Sequence, residues 1–404
     1  MLNQEFKIPA KFKTTTMVML GIGIITLIVG AITLLFSNEQ MSQNRFWAVL
    51  LQNSIFFLLI SLASVFILSA VSLAQGAWIV AFRRIPEAIG SVVWVFAVIV
   101  GVVLLTLVWT NNFHIYAWLK DGYNPHNSLN ALKNIFLSKP FFTIWTVLVL
   151  SLWSWFGIKI REVSVRQDTE ASGSTKTYWK NFNLSAGFIF VFALSSASTI
   201  PWLWIMSLDS HWFSTMFSWY TFASSFVSGM AMIMLWLLYI KRHGYMEIVN
   251  DEHIHDVGKF MFAFSIFWTY LWFSQFMLIW YANIPEETVY FQIRMHGPYR
   301  IFYWLNIILN FVAPVLILMS RPNKRNYFIL VLVAIIILVG HWIDFYQMVM
   351  PATVQENWHI GWYEIGIVCG FIGLVMYLVS NKLTKAPLIP QNNPLLKETI
   401  VHIS

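Results

Sequence analysis

Apolar residues run along this chain in ten long blocks parted by short polar stretches. Their approximate limits are Met17–Phe36, Asn53–Leu73, Ser91–Trp109, Phe141–Ile160, Ser185–Leu208, Thr215–Tyr239, Phe260–Asn283, Ile301–Met319, Tyr327–Val349 and Gly361–Ser380. A helix of about 20 residues crosses the roughly 30 Å hydrocarbon core of a bilayer, and each block is about that long. The pattern predicts an all-α, polytopic membrane protein, with residues 1–404 forming a single integral membrane domain. Residues 1–16 are read as a polar N-terminal segment. Residues 381–404, rich in proline and asparagine, are read as an extended tail. The first block ends in Ser-Asn-Glu-Gln with no small-residue cleavage site, so it is expected to be a retained helix.

Punctuation inside and between the blocks adds detail. Pro201 and Pro314 lie within spans and should kink or open them. Gly366, Gly370 and Gly373 put small residues on one face of the last span. That permits close helix approach, either inside the bundle or to another subunit. Two outer loops carry helical signals. Leu129, Leu132 and Phe136 recur at helical spacing within Asn127–Leu137. Pro285-Glu286-Glu287 suits a first turn that His296-Gly297-Pro298 would close.

Composition agrees with the pattern. The chain is 58% hydrophobic and 11% charged, against roughly 25% charged in a soluble domain. The net charge of +7 is spread over loops and is not a nucleic-acid signature. Nineteen of the 25 Lys and Arg fall in segments that alternate to one side. The other six are Arg45, Lys120, Lys133, Lys139, Arg294 and Arg300. The positive-inside rule then places both termini in the cytoplasm.

Few residues can carry chemistry at membrane depth. The single cysteine, Cys369, excludes internal disulfides, a four-cysteine iron–sulfur site and Cys-x-x-Cys-His haem attachment. It reads as a small residue facing lipid or a helix. Among the histidines only His341 is well inside a span, which excludes a two-haem cytochrome b. His253, His255 and Asp256 are read as part of a solvated loop beside Asp251 and Glu252, not as a metal site. His341 and Asp344 stand three apart and share a helical face. An ionised group at that depth costs roughly 2.5–3.5 kcal/mol or more. Three readings stay open for the pair: a satisfied structural contact, part of a proton path, or a contact to a quinone head. Asp344 is placed about 9 Å below the outer surface. Asp209 and His211 sit at the outer turn after the fifth span, where Asp209 either caps the sixth helix or continues a proton exit. Glu364, within a turn of the outer start of the last span, is expected to snorkel into water.

Four stretches together resemble one family. They are Gly76-Ala-Trp-Ile-Val-Ala-Phe-Arg-Arg-Ile-Pro-Glu87, Ser207-Leu-Asp-Ser-His-Trp-Phe-Ser-Thr-Met-Phe217, the Phe273–Glu287 run, and His341-Trp-Ile-Asp-Phe-Tyr346 with Met350-Pro351. The chain resembles the integral membrane subunits of alternative complex III, the bacterial quinol:cytochrome c oxidoreductase unrelated to the bc complex. Within that family it is most similar to the F-type subunit (ActF). The resemblance implies two four-helix bundles plus two extra helices, a fold shared with the polysulfide-reductase membrane anchor. It implies a chain without its own cofactors in the bacterial inner membrane, serving a structural role or proton translocation. It also implies partners: a homologous quinol-binding membrane subunit, an iron–sulfur subunit carrying the clusters, and subunits carrying haem c. A terminal cytochrome oxidase is a further partner the family allows, and membrane lipids surround the whole. The other class of function open to such a chain is a ten-helix secondary transporter. Against it, intramembrane polar residues are few and no paired broken helices are evident.

Overall fold

The computed structural model describes residues 5–36, 40–120, 135–171, 173–209 and 211–402. Among them there is no strand, and ten helices are long and apolar enough to cross a membrane. They are α1 (Ala10–Leu34), α2 (Met41–Leu73), α3 (Arg84–Trp109), α4 (Lys139–Gln167) and α5 (Lys176–Leu208). The second half supplies α6 (Phe217–Arg242), α7 (Asp251–Ala282), α8 (Arg300–Leu318), α9 (Tyr327–Thr353) and α10 (Trp362–Leu383).

Sequential helices close two rings. α2 packs on α3, α3 on α4, α4 on α5 and α5 back on α2; α6 to α9 close in the same order. The bundles meet through α2, which touches α6 and α9. α1 and α10 pair with each other outside both rings, and α10 also leans on α2. This is the predicted arrangement of two four-helix bundles and two extra helices. α2 and α6 are the most enclosed spans, and α1 the least. The central pair is rich in small polar residues: Ser54, Ser61 and Ser64 on α2, Ser224, Ser225 and Ser228 on α6, all buried. Their small side chains let helices approach closely, and most of the hydroxyls are satisfied locally, as in Ser61 to the Phe57 carbonyl at 2.9 Å.

The glycines of α10 face α1. A Cβ on Gly370 would stand 2.6 Å from the Gly23 Cα, so this backbone contact tolerates no side chain. The small-residue face is thus used within the chain. Pro201 and Pro314 each follow a stretch of π-helix, Ser195–Thr199 and Ile308–Val312. A proline has no amide to donate and crowds the preceding turn, and one wide turn absorbs both problems.

The helices outrun the apolar blocks. α2 starts at Met41 and α7 at Asp251, well ahead of the blocks beginning at Asn53 and Phe260. His253, His255 and Asp256 therefore do not lie in a solvated loop. They form the first turns of α7 behind an Asn250 cap, and all three are buried. The tail covers His253 and Asp256. Beyond α10 it is not simply extended: it forms a short helix, Leu396–Ile400, and docks on the same end of the bundle. Thr399 meets His253 at 3.1 Å, and His402 meets Asp256 at 2.6 Å. The short helix expected after Asn283 is present as Pro285–Met295. The one expected within Asn127–Leu137 lies almost wholly outside the described residues.

Candidate functional site

The second bundle encloses Asp344, which is fully buried. α9 continues past Pro351 to Thr353, so Asp344 lies about 14 Å from that helix end at about 1.5 Å per residue. That is deeper than the apolar block suggested. Each helix of the ring presents one or two polar groups to it. Oδ1 accepts from the Asn306 amide of α8 at 2.8 Å and from the Tyr220 hydroxyl of α6. Oδ2 accepts from the Trp268 indole of α7 at 3.0 Å and from Ser224 Oγ of α6 at 3.0 Å. Four donors match the roughly four lone-pair positions of an ionised carboxylate. His341 Nδ1 is 3.6 Å from Oδ2 and 2.9 Å from Ser224 Oγ.

Ser224 has one hydroxyl proton. With that hydrogen donated to Asp344, Oγ accepts from the His341 Nδ1–H, and the three groups form a chain from imidazole through hydroxyl to carboxylate. His341 Nε2 is buried with no partner among the described residues. It remains the free end of the chain.

Asn306 is held in turn by Asn310, whose amide donates to its carbonyl. Asn310 belongs to the π-turn before Pro314. It fits because its neighbour on α9 is Gly340, where a Cβ would come within 2.2 Å of Asn310 Oδ1.

The approach from the Thr353 end of α9 is covered by the Pro285–Met295 helix. Arg294 is buried there, with Cζ 3.4 Å from the centre of the Tyr290 ring. Tyr290 stacks on Trp212 at 3.9 Å. Burial pushes the Tyr290 phenol above its usual value; Arg294 opposes the rise, and the carboxylates of Asp344 and Asp209 add to it. Tyr290 is thus within electrostatic reach of both acids.

The five residues singled out in the sequence fall into three places. His341 and Asp344 meet in the cage. Asp209 and His211 stay in the loop between α5 and α6, where Asp209 Oδ1 accepts from the His211 amide at 3.4 Å. Asp209 does not cap α6: Met216 holds that position and has no side-chain cap. Glu364 does not snorkel. It is buried and receives Arg45 of α2 through two contacts, Nε to Oε1 at 2.8 Å and Nη2 to Oε2 at 2.6 Å. The Gly361 amide adds a third at 2.8 Å.

The sequence reading missed Tyr220, Ser224, Trp268, Asn306 and Asn310. It also missed a buried charge cluster at the opposite end. There Glu87 binds Arg83 at 2.7 Å and Arg84 at 2.8 Å, and Arg84 reaches Ser164 at 3.0 Å and also Asp168. The spacing of Glu87 from Arg84 and Arg83, three and four residues, was a legible signal for such a pairing. No grouping of three or more metal-ligating side chains occurs among the described residues. No family model and no curated protein matches the chain.

Proposed function

We propose that this chain is a cofactor-free integral membrane subunit of a quinol:cytochrome c oxidoreductase of the alternative complex III type, in which Asp344, Ser224 and His341 relay protons. In this reading it lies in the bacterial cytoplasmic membrane with both termini inside. It adjoins the homologous quinol-binding subunit, and the haem c and iron–sulfur groups belong to its partners. The observation that carries the relay is a carboxylate at membrane depth joined by one hydroxyl to an imidazole whose other nitrogen is free. Intramembrane acid–histidine chains of this kind serve proton relays. The resemblance gains support from where its stretches fall. Two of the four, those with Trp212 and with His341–Pro351, are joined on one side of Asp344 through Tyr290 and Arg294, while Gly76–Glu87 lies at the opposite end.

Purification in mild detergent or native lipid tests the assignment. A subunit of such a complex co-purifies with haem c and iron–sulfur proteins. A chain that runs alone overturns the assignment and favours a secondary transporter. One feature speaks for that second reading: each bundle has a span interrupted by a π-turn ahead of a proline, the kind of break that transporters place at binding sites.

A further inference from the structure

Between the second bundle and the α1–α10 pair lies a cleft of about 1080 Å³. α6 and α9 form one wall, with Phe56 and Phe57 of α2 at the back and Val368 to Met376 of α10 opposite. On α9 the lining runs from Tyr327 to Trp342, a rise of about 22 Å. That matches one leaflet of a bilayer with its headgroup layer, about half of 40–45 Å. The cleft opens sideways, since Phe328, Ile335 and Val339 line it and are exposed.

Its chemistry is uneven along its length. The deep end is apolar. Trp342 has the one indole N–H there, and it already donates to Asn53 Oδ1 at 2.9 Å. Polar lining is confined to the part nearer where α6 finishes and α9 begins, at Arg242, Tyr239, Tyr327 and the Trp236 indole. Phe12 closes that end against Tyr239, ring centres 5.0 Å apart, and is flanked by Lys11 and Lys13. Among the described residues none of Lys7, Lys11, Lys13 and Arg242 is ion-paired with a carboxylate, whereas nearby Arg325 is engaged by Glu252. The rim carboxylate Asp251 accepts the Tyr327 hydroxyl at 3.2 Å.

We infer that the cleft holds one anionic glycerophospholipid, its acyl chains along α6 and α9 and its phosphate at Arg242. A groove of leaflet length, apolar at depth and cationic at its mouth, has the polarity of such a lipid. A quinone fits it poorly. Its head carries no charge for the cations to meet, and at the deep end it finds no unengaged donor. Unpaired cations near a membrane surface attract anionic lipid with about 1 kcal/mol each.

The test uses the full-length chain, delipidated in detergent and titrated with defined lipids while native mass spectrometry counts bound molecules. Phosphatidylglycerol should bind at one saturable site, roughly tenfold tighter than phosphatidylcholine of the same chain length. Arg242→Gln, at an exposed helix end, should weaken phosphatidylglycerol about fivefold and leave phosphatidylcholine unchanged. Val339→Trp, which fills the cleft from its open side, should abolish the saturable site for both. Equal affinity of the wild-type chain for the two lipids overturns the inference without any variant. So does phosphatidylglycerol binding that Arg242→Gln leaves unchanged, or displacement of the lipid by a quinone.

Discussion

Arg294 donates from Nε and Nη2 to the carbonyl of Gln347, at 3.2 and 2.9 Å. That carbonyl is the one Pro351 leaves without an amide, four residues on in the same helix. The Pro285–Met295 helix is thereby fastened to the C-terminal part of α9, over the Asp344 cage. Arg294 also donates to the Tyr290 carbonyl at 2.7 Å, so one guanidinium ties its own helix to the defect in α9.

Arg294→Met should therefore lower stability by about 2 kcal/mol, because it strands a buried carbonyl. Pro351→Ala supplies the missing amide and should recover part of that loss. The two substitutions together should show a coupling of about 1 kcal/mol in a double-mutant cycle, read from thermal unfolding in detergent. Additive effects would mean that Arg294 acts only through the Tyr290 ring.

Arg45 and Glu364 make a second test. Both are buried, and their pairing is bidentate. Removing one partner, as in Arg45→Met, strands a charge and should cost about 3–5 kcal/mol. Replacing both, as Arg45→Met with Glu364→Met, should be far closer to neutral. The order of the melting midpoints decides: a double variant no more stable than the single one would show that the pair is not the unit that matters.

The spans were legible because ten apolar blocks leave little else to build, whereas the two-bundle arrangement was implied by the resemblance alone. Glu364 was misread for a reason of length. Its partner lies 319 residues away, and Arg45 precedes the apolar block in a helix that begins earlier than hydropathy indicates. Asp344 and His341 could be found because a charge inside an apolar run stands out. Their donors could not, since Tyr220, Trp268 and Asn306 are ordinary in a membrane helix and only the ring of α6 to α9 brings them to one point. Ser224, Ser225, Ser228 and Gly229, clustered on α6, were the faint sign of a close and polar face.

The split of Lys and Arg predicts the orientation. Reporters fused at the C-terminus and within the loop between Asn111 and Ser138 should report opposite sides of the membrane, the C-terminal one cytoplasmic. The described chain ends already lie at one end of the bundle: the Lys7 amide meets Tyr245, which follows α6, and His402 meets Asp256 at the start of α7. A periplasmic C-terminal reporter would reverse the assignment of the relay's exit.

The relay itself is tested by Asp344→Asn and Ser224→Ala. An amide at 344 would at first set its nitrogen against donors, yet the site can adapt. Asn310 Oδ1 has no partner among the described residues. Turning Asn310 and Asn306 over in series lets Asn306 accept from the new amide and Asn310 accept from Asn306. Tyr220 can then accept as well as donate, while the other amide position keeps its oxygen for Trp268 and Ser224. The cost should stay near 1–2 kcal/mol, so the variant should fold and assemble. It cannot carry a proton on the carboxylate. Ser224→Ala keeps the carboxylate and removes the hydroxyl that joins it to His341. In the reconstituted complex both variants should continue quinol oxidation while protons released per electron fall. A purely structural cage gives another result: either lost assembly or unchanged proton yield. Assembled variants with wild-type proton yield would remove Asp344, Ser224 and His341 from any path.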